Sequence, residues 1–142
     1  VNEDRQKAIC KAGGVDTITD AMHTHLETEG VQKAACLGLM HLAGHSAAKE
    51  RILEAGAVPL ILKAMRHYPA NERILMYGCI TVGNLAAVDT PSARDRMKMD
   101  MIHGDGAGDG ISFITKVLEG QSNKAILVVA ARTLVALREL AQ

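Results

Sequence analysis

The chain has no tryptophan, one phenylalanine and two tyrosines among its 142 residues. It is nevertheless 48% hydrophobic. Ala, Leu, Ile, Val and Met must therefore fill the core, as suits helices that stack closely. No sign of charge is in excess: 16 basic residues balance 16 acidic ones, and no block of Lys or Arg stands out. That argues against nucleic-acid binding driven by phosphate contacts. No apolar run approaches the ~20 residues of a membrane span, and the start has no signal-peptide pattern. Nothing alternates with period two for long enough to predict a strand. The three cysteines are too few and too dispersed for a disulfide framework. Cys10, Cys36 and Cys79 read as core thiols, since free cysteine is among the most buried residue types. Such thiols fit a reducing, intracellular setting, cytoplasmic in the first place and nuclear in the second.

What the chain does contain is an echo. "VQKAACLGLMHLA" at residues 31–43 shares a skeleton with "ILMYGCITVGNLA" at 74–86. Val31, Ala35, Cys36, Leu39 and Leu42 fall on Ile74, Gly78, Cys79, Val82 and Leu85. The apolar spacing i, i+4, i+8, i+11 is one face of a helix. The small residues between suggest packing on more than one side. Upstream, "KAGGVDTITDAM" at 11–22 becomes "EAGAVPLILKAM" at 54–65. A third copy follows as "ISFITKVL" from Ile111 and "ILVVAARTLVALR" from Ile126. The units are about 1–45, 46–88 and 89–142. The third carries eight inserted residues, "HGDGAGDG", between Met97 and Ile111.

Each unit reads as three helices. The short first helices are expected near residues 3–11, 47–55 and 91–102. The second helices are expected near 15–26, 58–68 and 111–118. The long third helices are the quoted segments. Gly13, Gly14 and Gly56 allow sharp turns after the first helices. Ser46, Asn71 and Thr90 are expected N-caps, the last followed by Pro91 in the first turn. The segment from Met99 to Gly110 is expected to be a mobile, dispensable loop, because glycine is abundant there and apolar anchors are scarce.

A helical period of 43 residues is the signature of an α-solenoid. The short first helix ending in Ala-Gly, and "AGAVPLIL…GCITVGNLA" as a whole, resembles the armadillo repeat of the catenin and importin-alpha type. The resemblance covers essentially the whole chain. It implies an all-α fold, a right-handed α-solenoid of three armadillo-like three-helix repeats forming a single domain over 1–142. It also implies a non-catalytic protein–protein interaction scaffold, whose third helices line a concave face that holds a partner segment. In the family a tryptophan and, four residues later, an asparagine project there, and the asparagine bonds an extended peptide. The asparagine-like places here are His41, Asn84 and Ala136; the tryptophan-like places are Leu37, Ile80 and Arg132. Only Asn84 matches. Glu139 is the one acid near the groove edge, which does not suit a basic cargo. The expected groove residues are Lys33, Leu37, Met40, His41, Ile80, Asn84, Arg132 and Val135, suited to a partly apolar, acidic protein or peptide segment.

Other motifs carry less. His41 and His45, at i and i+4, lack further ligands to complete a zinc site. His23 and His25 point to different faces and read as solvated. The run "GDGAGDG" lacks the Lys-Ser/Thr ending of a phosphate loop, and Lys116 stands where a calcium loop beginning at Asp105 needs glutamate. Met97 and Met101 share a helix face; Met99 does not. No nucleophile with a base and no paired carboxylates can be named, so no enzyme activity, cofactor or metal is expected.

The last helix is apolar nearly all round. Ile126, Val129, Ala130, Leu134 and Leu137 are expected to face inward, leaving Leu127, Val128, Ala131 and Val135 for self-association. That face leads to the expectation that the chain is a fragment of a longer solenoid. The alternative function is a structural spacer or self-association segment with no specific groove ligand.

Overall fold

The computed structural model describes residues 3–104, 106 and 108–142. Among them there are nine helices and no strand: α1 (Glu3–Lys11), α2 (Gly14–Thr24), α3 (Glu29–Leu42), α4 (Ser46–Glu54), α5 (Ala57–His67), α6 (Glu72–Leu85), α7 (Pro91–His103), α8 (Gly110–Gly120) and α9 (Lys124–Ala141). The first six form two triplets of identical lengths, 9, 11 and 14 residues. The third triplet departs from them at 13, 11 and 18 residues. No helix among the described residues is long and apolar enough to cross a membrane.

The turns between first and second helices follow from glycine. Gly13 and Gly56 sit in the left-handed region with φ of 82° and 76°. A residue with a Cβ is strained there. Asn71 and Thr90 cap α6 and α7, accepting from the backbone N–H of Ile74 at 3.0 Å and of Ala93 at 3.3 Å. Ser46 does not cap α4. It is the first helical residue, and His45 precedes it without a side-chain cap bond.

The inserted segment also departs from expectation. α7 continues to His103, with Met97 and Met101 buried and Met99 and Ile102 exposed. Gly110 is buried at the start of α8, against Met101 and Leu62. Within the segment from Met99 to Gly110, residues 99–103 are therefore helix and not loop, and Met101 and Gly110 make core contacts. Asp105, from which a calcium loop would be counted, lies outside the described residues.

Like helices stack on like at most junctions. α1 packs on α4 and α4 on α7; α2 packs on α5; α3, α6 and α9 form the most extensive line of contact. This is an all-helical stack of the kind an α-solenoid makes. The core runs along it through Met22, Leu39, Ile61, Met65, Ile74, Leu85, Ile114 and Ile126, each almost wholly buried. Polar bonds tie neighbouring triplets as well. Arg51 pairs with Asp16, and the Tyr68 hydroxyl donates to Leu26 O at 2.7 Å. Buried Gln32 closes the α2–α3 turn, its Nε2 donating to Met22 O at 3.0 Å and to His25 O at 2.9 Å.

One tie occurs twice. Asn71 Nδ2 donates to Glu29 Oε2 at 2.6 Å, and Asn123 Nδ2 donates to Glu72 Oε2 at 2.7 Å. In each case the N-cap of one long helix is held by the first residue of the preceding long helix. Asn71→Ala removes the cap and the tie together. We expect it to lower the unfolding free energy by about 1 kcal/mol, the usual cost of losing such a cap. Asn71→Asp keeps the cap acceptor but sets a carboxylate against Glu29. It should recover only part of that loss in a denaturant titration.

Candidate interaction surface

α6 lies between α3 and α9, so its exposed flank and that of α9 together make the surface most fully framed by the fold. Ile80, Gly83 and Asn84 of α6 face Val129, Arg132, Thr133 and Ala136 of α9 across a cavity of about 340 Å³. Positions 129, 132, 133 and 136 recur at the i, i+3, i+4, i+7 spacing that brings side chains to one helix face. The helices approach closely where Gly83 has no side chain. A Cβ there would stand 3.1 Å from Thr133 Oγ1. Thr133 is itself buried, and its hydroxyl reaches Cys79 O at 2.6 Å and Val129 O at 2.9 Å. That bond fixes how far α9 is rotated on α6. Beside it the small side chain of Ala136 leaves the cavity open.

Two polar groups line this space with nothing to hold. Among the described residues the Asn84 amide has no hydrogen-bond partner and the Arg132 guanidinium no ion pair. A side-chain amide both donates and accepts, and so can bond an extended backbone. A guanidinium presents a planar fork suited to a carboxylate.

Two curated relatives match the chain. Armadillo repeat-containing protein 6 homolog of Drosophila melanogaster is 26% identical over 95 residues, covering 66% of this chain. Protein aardvark of Dictyostelium discoideum is 35% identical over 101 residues, covering 65% of this chain. The chain is armadillo-like. It spans 20% of the length of the first relative and 13% of the second. No family model and no solved structure matches it.

This surface gathers some of the residues singled out from the sequence and leaves others apart. Ile80, Asn84 and Arg132 share the cavity. Lys33 and His41 on α3 are exposed, and Leu37 and Met40 half-buried, away from that space. Val135 is 57% exposed on α9 and does not line the cavity. Gly83, Val129 and Thr133 were not expected there. Thr133 is visible in the sequence only as a polar residue inside an apolar helix, and what it bonds lies on another helix.

A second space of about 340 Å³ opens at the far end of the stack, between α7, α8 and α9. Its apolar lining includes Met101, Ile102, Ile111 and Leu137. On α9, Ile126, Ala130 and Leu137 are buried, Val129 and Leu134 partly so. Val128 and Ala131 are exposed and Leu127 half-buried.

The remaining motifs resolve into local structure. Among the described residues no group of three His, Cys, Asp or Glu side chains converges as a metal site. His23, His25 and His41 are exposed and His45 half-buried. Burial pushes the thiols of Cys36 and Cys79 up to about 12, so both stay protonated and unreactive at neutral pH. Asp109 caps α8. Its carboxylate accepts from Ser112 N at 2.7 Å and from Ser112 Oγ at 2.8 Å, which holds it below the usual carboxylate range.

Proposed function

We propose that the chain is a non-catalytic protein-interaction scaffold, a right-handed solenoid of three armadillo-like repeats over about 1–45, 46–88 and 89–142. It holds an extended partner segment along its third helices, α3, α6 and α9. The observation that carries this reading is the α6–α9 cavity, with its apolar walls and two uncommitted polar groups, Asn84 and Arg132. Asn84 engages the backbone of the segment, and Arg132 takes an acidic side chain. The partly apolar surfaces of Leu37, Met40 and Ile80 extend the track towards α3, with Lys33 and His41 at its rim.

The test is a selection of short extended peptides against the chain from a random library, followed by affinity measurement by fluorescence polarisation. Selected peptides should combine apolar and acidic residues. Asn84→Ala should weaken them about ten-fold, as expected for one desolvated hydrogen-bonding group, while the far-ultraviolet circular dichroism stays unchanged. Arg132→Glu should reverse the preference for acid. Peptides whose affinity ignores both changes do not lie in this groove.

A second reading is favoured by one observation. Val128 and Val135 are 50% and 57% exposed on α9. Together with Leu127 and Ala131 they form a self-association surface.

A further inference from the structure

The molecule carries its own template for what covers α9. α9 meets α6 along a stripe that starts at the first residue of that helix, Glu72, and passes Cys79 and Gly83, with Met76 falling on the same line by helical spacing. Glu72 accepts from Asn123, Cys79 O accepts from Thr133, and Gly83 lies against Thr133. Counted from the helix start, the same places on α9 are Lys124, Val128, Ala131 and Val135, and Glu139 continues the line. All five are exposed. The face that α6 sets against its neighbour is therefore the face that α9 presents.

The same template excludes one kind of occupant. At both observed junctions an acid opens the long helix, Glu29 or Glu72, and takes the N-cap amide of the next long helix. At Lys124 an ammonium stands in that place. It only donates, so an asparagine-capped helix arriving in the same pose would set donor against donor. What Lys124 requires opposite it is an acid. The stripe holds one at its other end, Glu139.

We propose that the occupant is a second copy of this chain, with α9 packed antiparallel on α9 about a two-fold axis near Ala131 and Arg132. The proposal rests on the reading of α9 as a self-association surface and adds its register. Lys124 faces Glu139 of the partner subunit, and Val128 faces Val135 of the partner subunit. By symmetry each pair forms twice. Ala131 at the centre lets the two backbones approach. The two Arg132 side chains flank the axis on the groove side, where they remain exposed. A single helix pair is small against the area of a stable interface, so the dimer is weak and forms at high protein concentration.

Sedimentation equilibrium over a concentration series, at low salt with a thiol reductant, tests this. The chain should show a monomer–dimer equilibrium. Lys124→Glu and Glu139→Lys each oppose like charges at two places, and each should weaken the dimer about ten-fold. The two changes in one chain should restore it to the strength of the original. The differences should shrink in high salt, as they do for exposed charges. Both positions of this cycle are exposed, and circular dichroism should show the same helix content throughout. A chain that remains monomeric overturns the register and the self-association reading together. A dimer indifferent to the single changes, or not restored by the double one, overturns the α9–α9 register alone and leaves self-association standing.

Discussion

Ile61→Ala should lower the unfolding free energy by about 2–5 kcal/mol, the range for a large aliphatic side chain truncated in a core. Ile61 has no exposed surface. It lies in α5 against α6, close enough that a Cβ on Gly78 would stand 3.2 Å from its Cγ2. The middle triplet is packed from both sides, so little can move in to fill the space. A control exists inside the same molecule. Ile18 holds the corresponding place in α2, faces Gly38 of α3 rather than the counterpart of Gly78, and is half-buried rather than buried. Ile18→Ala should cost about 1 kcal/mol, because less area is lost and solvent can enter the gap. Guanidinium titrations of the two variants, followed by circular dichroism, give the comparison. Equal losses would mean that the middle of the stack is no better packed than its end.

Gly78→Val should cost about 1–3 kcal/mol through overpacking. A Cβ at this position would stand 2.5 Å from Met65 Sδ and 2.9 Å from its Cγ. Met65 is fully buried. An alanine is a milder case, since a thioether chain can swing away from one methyl group. Alanine stands at the same helix position in α3, as Ala35, and in α9, as Ala130. Gly78→Ala should therefore be close to neutral. Valine adds two branches that hold a stiff rotamer, and Ile61 blocks the retreat on the other side. Met65→Ala leaves a cavity of its own, and in the double variant valine fills part of it. The double change should accordingly cost less than the sum of the two single ones, the signature of groups in contact. Additive losses would show that the two side chains do not meet.

Much of this architecture was legible because the chain repeats itself. The two triplets of equal length can be laid over one another residue by residue, and each copy corrects the reading of the other. The third triplet had no such check at its insertion. There the glycines suggested a loop. The anchoring contacts of Met101 and Gly110 are made with partners outside the segment, and no local period reveals those. Asp109 is read from the sequence only as part of the "GDGAGDG" run and not as a cap, although it stands immediately before an apolar helical run. At Ser46 the hydroxyl was the expected cap, but α4 begins at the serine itself. The rotation of α9 on α6 was not readable either, since a buried threonine bonded to a carbonyl across the interface sets it. Val135 follows Arg132 by three residues, which turns it about 60° around the helix, and that is enough to take it out of the cavity.

The paired ties from Glu29 to Asn71 and from Glu72 to Asn123 have a mechanical consequence. Every link of this kind joins a triplet to its immediate neighbour, so load passes along the stack through one junction at a time. Loosening one link leaves the other still latched, and the structure yields in stages. The end triplets, each latched on one side, are the compliant ones. The middle triplet, latched on both sides, is the stiff segment against which they bend.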